Sequence, residues 1–101
     1  MQISIGPVAT IGNAEQVRIS LLDAIASDSE IELDVSELSE VDLCFVQLVE
    51  SARKYASERD KSLSLTASAN PAVSTLLERG GFLSEADSDF LTFWFPGDHE
   101  Q

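Results

Sequence analysis

The sequence predicts a two-layer α/β domain: a mostly parallel four-stranded sheet with helices packed mainly on one face. Three observations lead to it. Short stretches of alternating polarity at residues 2–5, 31–35 and 62–68 are separated by longer stretches with apolar residues at steps of three and four. Strands that alternate with helices imply right-handed crossovers and parallel pairing. At 101 residues and 44% hydrophobic residues, the chain can bury one modest core and is too apolar to stay disordered. Residues 1–101 are therefore expected to form one domain, with an acidic tail from about residue 96.

The elements follow in order. Residues 2–5 alternate as a strand. Gly6-Pro7 breaks it, and residues 8–11 resume as a hairpin or a bent strand. Gly12-Asn13 stops that pattern, and Asn13 is a good N-cap. Val17, Leu21, Leu22, Ile25 and Ala26 recur at helical spacing and predict a helix over 14–27. Ile31, Leu33 and Val35 alternate with acids, as in a strand with one buried and one wet face. Asp42 is placed to cap the next helix. Its apolar stripe is Phe45, Leu48, Val49, Ala52, Tyr55 and Ala56, with Glu50 and Lys54 as a weak exposed pair. Leu63, Leu65 and Ala67 alternate with serine and threonine in a further strand. Asn70-Pro71 then starts a helix with buried face Val73, Leu76 and Leu77, and Gly80-Gly81 ends it. The aromatic segment at 90–95 is a strand or a short helix covering the core; periodicity does not distinguish them.

Eighteen acidic against six basic residues give a formal charge of −12, which argues against nucleic acid and anionic membranes as partners. Residues 30–42 carry six acids and no base, either as a solvated surface or as a site for a basic protein. Arg53, Lys54, Arg59 and Lys61 form the one basic cluster. No apolar run is long enough to span a bilayer, and the start lacks the features of a signal peptide, so the expected location is cytoplasmic. One cysteine and one histidine, His99 in the tail, build neither a disulfide nor a metal site, and no cofactor-binding motif occurs. Catalysis is not expected, because a nucleophile needs a base beside it.

In a parallel sheet the loops after adjacent strands gather at one edge. Residues 36–42 should therefore lie near 68–70, with two helix N-termini pointing there. The candidate site residues are Asp42, Leu43, Cys44, Val46, Gln47, Ser68 and Asn70. Leu43 and Val46 fall off the apolar stripe; exposed, they would form a patch suited to a partner. At Cys44 the helix start favours a thiolate, while Glu40 and Asp42 oppose it. An inert packed thiol and a redox-sensitive one both remain open.

Several pieces carry a resemblance: Ala9-Thr10-Ile11 with Leu21-Leu22, then Leu33-Asp34-Val35-Ser36, then Val41-Asp42 with Gln47-Leu48, and finally Leu76 to Phe82. In order and spacing they resemble a STAS domain, the sulfate-transporter and anti-sigma-factor-antagonist family, with the stand-alone bacterial subtype suggested by Gln47. In antagonists of that family a kinase partner phosphorylates a serine at the start of this helix. Here the aspartate matches Asp42, but the two hydroxyl positions fall on Leu43 and Cys44 and the usual glycine on Phe45. The resemblance thus implies a non-enzymatic domain that docks a regulatory protein, such as an anti-sigma factor, a histidine-kinase-like protein or a chemotaxis component, without that phosphorylation. It also admits an accessory subunit of a phospholipid-transport ATPase. A thiol sensor using Cys44 is the third reading, and a homodimer stays open.

Overall fold

The computed structural model describes residues 1–66, 70–84 and 86–96. Ser68, His99 and nearly all of the acidic tail lie outside the described residues, as does Ala67 at the end of its expected strand. Among the described residues the strands and α-helices follow in order: β1 (Gln2–Ser4), β2 (Val8–Ala9), α1 (Ala14–Ser27), β3 (Glu30–Asp34), β4 (Glu40–Val41), α2 (Leu43–Ser57), β5 (Ser62–Leu65), α3 (Pro71–Arg79) and α4 (Ser88–Trp94).

All strand pairings are parallel, as the alternation of strands and helices predicts. The strands form two sheets: β1-β3-β5, and a separate pair β2-β4. In the larger sheet Ile3 aligns with Leu33, and Ile31 and Leu33 align with Leu63 and Leu65, so the apolar positions share one face. The Gly6-Pro7 step separates the sheets. The Ile5 N–H donates to the Asp34 carbonyl and ends the β1–β3 ladder, after which Pro7 has no N–H to extend it. Its carbonyl instead accepts from the Ser39 and Glu40 N–H groups and aligns β2 with β4. Gly6 has φ +142°, and a side chain there would meet the Glu37 carbonyl group at 3.1 Å. Residues 2–9 are thus one bent path, and the hairpin alternative is excluded.

Asn13 does not cap α1 through its side chain. Its Oδ1 accepts from the Thr10 N–H at 2.9 Å and its Nδ2 donates to the Val8 carbonyl, while Thr10 Oγ1 accepts from Gly12. The pair closes a capping box around a 3-10 turn over Ile11–Asn13 that precedes the helix. On α1 the fourth buried position is Ala24, with Val17, Leu21 and Ile25; Ala26 faces out. At the far end the Lys61 ammonium donates to the Ile25 carbonyl, placing a cation on the unpaired carbonyls of the last turn.

The aromatic segment is a helix. Asp87 caps α4 by accepting from Phe90 N–H at 2.9 Å, and Phe93 and Trp94 enter the core. Trp94 meets Phe45 edge-on at 6.1 Å and Phe93 at 5.0 Å, and its indole N–H donates to Glu50 at 3.0 Å. Glu50 pairs with Arg53 at 2.8 Å, and the expected Glu50–Lys54 pair is absent among the described residues. Arg53 is drawn toward α4: it lies over the Phe93 ring at 4.5 Å and donates to the Asp89 carbonyl.

Candidate functional site

The loop after β3 reaches Asn70; Ser68 of the expected edge lies outside the described residues. Asn70 Oδ1 accepts from Val73 N–H at 3.0 Å and so caps α3, while its Nδ2 donates to the Val35 and Leu38 carbonyls, each at 2.9 Å. One side chain therefore starts a helix and ties the loop after β3 to the end of the loop after β5. These bonds occupy the amide, so Asn70 holds the edge together.

Asp42 occupies the centre of the corner. Its extended backbone (φ −131°, ψ −177°) lets Oδ1 accept from Cys44 N–H at 3.0 Å, capping α2. Its Oδ2 accepts from Ile11 N–H at 2.9 Å, reaching back to the 3-10 turn. Leu43, the first residue of α2, is 46% exposed, and Gln47 one turn on is also exposed. Cys44 is half-buried. Leu43 rests near the end of α3, where a side chain on Gly80 would meet the Phe82 ring at 2.8 Å and Leu43 Cδ2 at 3.1 Å.

Val46 is not part of the surface: it is completely buried. At 3.6 residues per turn it lies about 100° round α2 from Phe45, with Arg53 at about 80° and Glu50 at about 140° on the same flank. Arg53 and Glu50 both bind α4, so that helix covers the flank. The opposite flank, with Leu48 and Tyr55, is only half-buried and opens on a groove of about 270 Å³ against Leu22 of α1. The sequence-based stripe misses this rotation because the place of the aromatic segment was open.

Ile11 is the site residue that sequence reasoning did not single out. Read as the end of a strand, it is instead 75% exposed, the most exposed large hydrophobic residue among those described. The available signal was the Thr10 to Asn13 spacing, which fits a capping box and not a strand end.

The loop into the corner is acidic, and one of its carboxylates is tied down. Asp34 accepts from the Ser36 hydroxyl at 2.6 Å and the Ser36 N–H at 3.0 Å, which lower its pKa below the ordinary carboxylate range. A depressed carboxylate stabilises the fold above its unfolded value of about 3.9, and that contribution disappears as pH falls through the folded value. Ser36→Ala is therefore expected to lower urea resistance at pH 7, with the gap to wild type closing below about pH 4. A constant gap at pH 7, 5 and 3 would count against the bond.

Three residues of the basic cluster are engaged within the domain: besides Arg53 and Lys61, Arg59 lies over the Tyr55 ring at 3.6 Å, while Lys54 is exposed. Among the described residues no three His, Cys, Asp or Glu side chains are grouped to hold a metal ion, and no helix is long and apolar enough to cross a membrane. The chain matches a family model described as "Mlab, STAS domain" over residues 1–84. No curated protein and no solved structure matches it.

Proposed function

The chain belongs to the STAS domain family, and on that premise we propose that it is a non-enzymatic domain that docks a regulatory protein through the corner around Asp42. The observation that carries this reading is one carboxylate that links two exposed hydrophobes: Asp42 caps the helix that opens on Leu43 and accepts from the Ile11 N–H. Gln47 extends the surface along α2. The six acids of residues 30–42 speed encounter with a partner whose facing surface is basic.

The partner resembles an anti-sigma factor, a histidine-kinase-like protein or a chemotaxis component, met in the cytoplasm. Leu43 and Cys44 stand where antagonists of the family carry hydroxyls, so docking here is not released by serine phosphorylation at the helix start. Affinity capture with tagged protein tests this reading. A regulatory protein retained by wild type and by Ile19→Glu, an exposed position on α1, should be lost with Leu43→Glu. Equal capture by Leu43→Glu would remove the corner from consideration.

A second reading, an accessory STAS subunit of a phospholipid-transport ATPase, draws on the resemblance at Gln47, which is exposed beside the same corner. Adjacent genes discriminate the two: transporter ATPase and permease genes against sensor kinases.

A further inference from the structure

We infer that Asp42 is a positioning residue that assembles the docking surface from two separate elements, in addition to capping α2. The inference rests on the docking reading above and adds how the surface is built and what fits it.

The observation is the division of labour between the two carboxylate oxygens. Oδ1 takes the Cys44 N–H at 3.0 Å, and this bond alone satisfies the helix start. Oδ2 takes the Ile11 N–H at 2.9 Å, 31 residues away in the chain. The 3-10 turn that carries Ile11 closes on itself through Thr10 and Asn13, so its internal bonds do not fix it against α2. The β2–β4 pairing brings the turn up to the start of α2, and the bonds made to it there come from Asp42, through the carboxylate and through its own N–H to the Ala9 carbonyl at 3.4 Å. The carboxylate bond is the shorter, and a charged acceptor strengthens it.

Its consequence is that Ile11 and Leu43, which arise from different elements, are presented together. An isoleucine 75% exposed and a leucine 46% exposed, one bonded to Asp42 and the other next to it in the chain, leave apolar area uncovered that a partner can bury. Glu37 of the flanking loop and Glu40 of β4 are both exposed, and residues 30–42 contain no base. The occupant that fits is a protein surface with an apolar centre and a cationic rim. A second copy of this chain, at −12, is disfavoured by repulsion.

Asp42→Ser separates the two roles, because a serine hydroxyl caps a helix yet is too short to reach the Ile11 N–H as well. Amide hydrogen exchange is read at Ile11 and Cys44 in the intact chain. The expected result is exchange at Ile11 faster by about tenfold or more, the loss of one charge-assisted bond, with Cys44 near its wild-type rate. Asp42→Asn should behave in the same way, since its amide offers one acceptor. Unchanged exchange at Ile11 in both variants overturns the positioning role whatever the partner is. In parallel, capture by Asp42→Ser and by Ile11→Ser is compared with Leu43→Glu, at 50 and 300 mM salt. Capture weakened in all three, and weaker at high salt, supports the inference. Capture lost only in Leu43→Glu, or insensitive to salt, overturns it while the docking reading stands. Capture retained in Leu43→Glu ends both.

Discussion

Val46→Glu is expected to unfold the domain, whereas Leu43→Glu, three residues earlier on the same helix, leaves it folded. Val46 is fully enclosed, and among the described residues no side-chain nitrogen or oxygen is buried without a partner. A glutamate there must either carry its charge into the core or become protonated, at a cost of several kcal/mol in each case. Domains of this size are stable by about 5–15 kcal/mol, so a single unpaired buried charge consumes much of the margin. Leu43 is half in water at the first position of α2, where a carboxylate also complements the positive end of the helix. Far-UV circular dichroism and urea titration of both variants check the contrast. A cooperative, near-wild-type transition for Val46→Glu would contradict the burial of that flank. The same comparison decides which variant is admissible for binding work: loss of capture by Val46→Glu reports unfolding.

Trp94→Ala is expected to cost about 3–5 kcal/mol, the range for truncating a large buried aromatic residue. Trp94 is the largest fully buried side chain among those described, and it meets Phe45, Phe90 and Phe93. It belongs to α4, beyond residue 84 where the family match stops. The core of this protein is therefore completed by a segment that the family model does not cover. Trp94→Phe isolates the polar share: the ring remains, Glu50 loses the indole donor but keeps Arg53, and about 1 kcal/mol is expected to be lost. Because Trp94 is the only tryptophan, circular dichroism is the readout of choice. A loss below about 1 kcal/mol for the alanine variant would mean that α4 contributes little to the core.

Much of the corner is legible in the sequence. Asp42 and Asn70-Pro71 are strong helix starts because an oxygen one residue before the first turn satisfies an otherwise unpaired N–H, a local requirement visible in local sequence. Parallel pairing followed from the alternation of strands and helices, and it brought the loop after β3 to Asn70. The strand β4 is not legible in the sequence, because two residues, Glu40 and Val41, carry no periodicity. Asn13 is the residue type of an N-cap for α1, but a capping box with Thr10 claims its side chain.

The sequence by itself determined where α1, α2 and α3 begin, that residues 2–5, 31–35 and 62–65 alternate as strands, and that the pairing is parallel. These depend on backbone hydrogen bonds and on side chains within a few residues. Only the tertiary structure decided which flank of α2 is dry, where the aromatic segment packs, and that Asp42 holds the Ile11 N–H. Burial is set by what an element packs against. The contacts that fix it here, Trp94 with Glu50 and Ile11 with Asp42, join residues 44 and 31 positions apart. No local pattern encodes a neighbour at that distance.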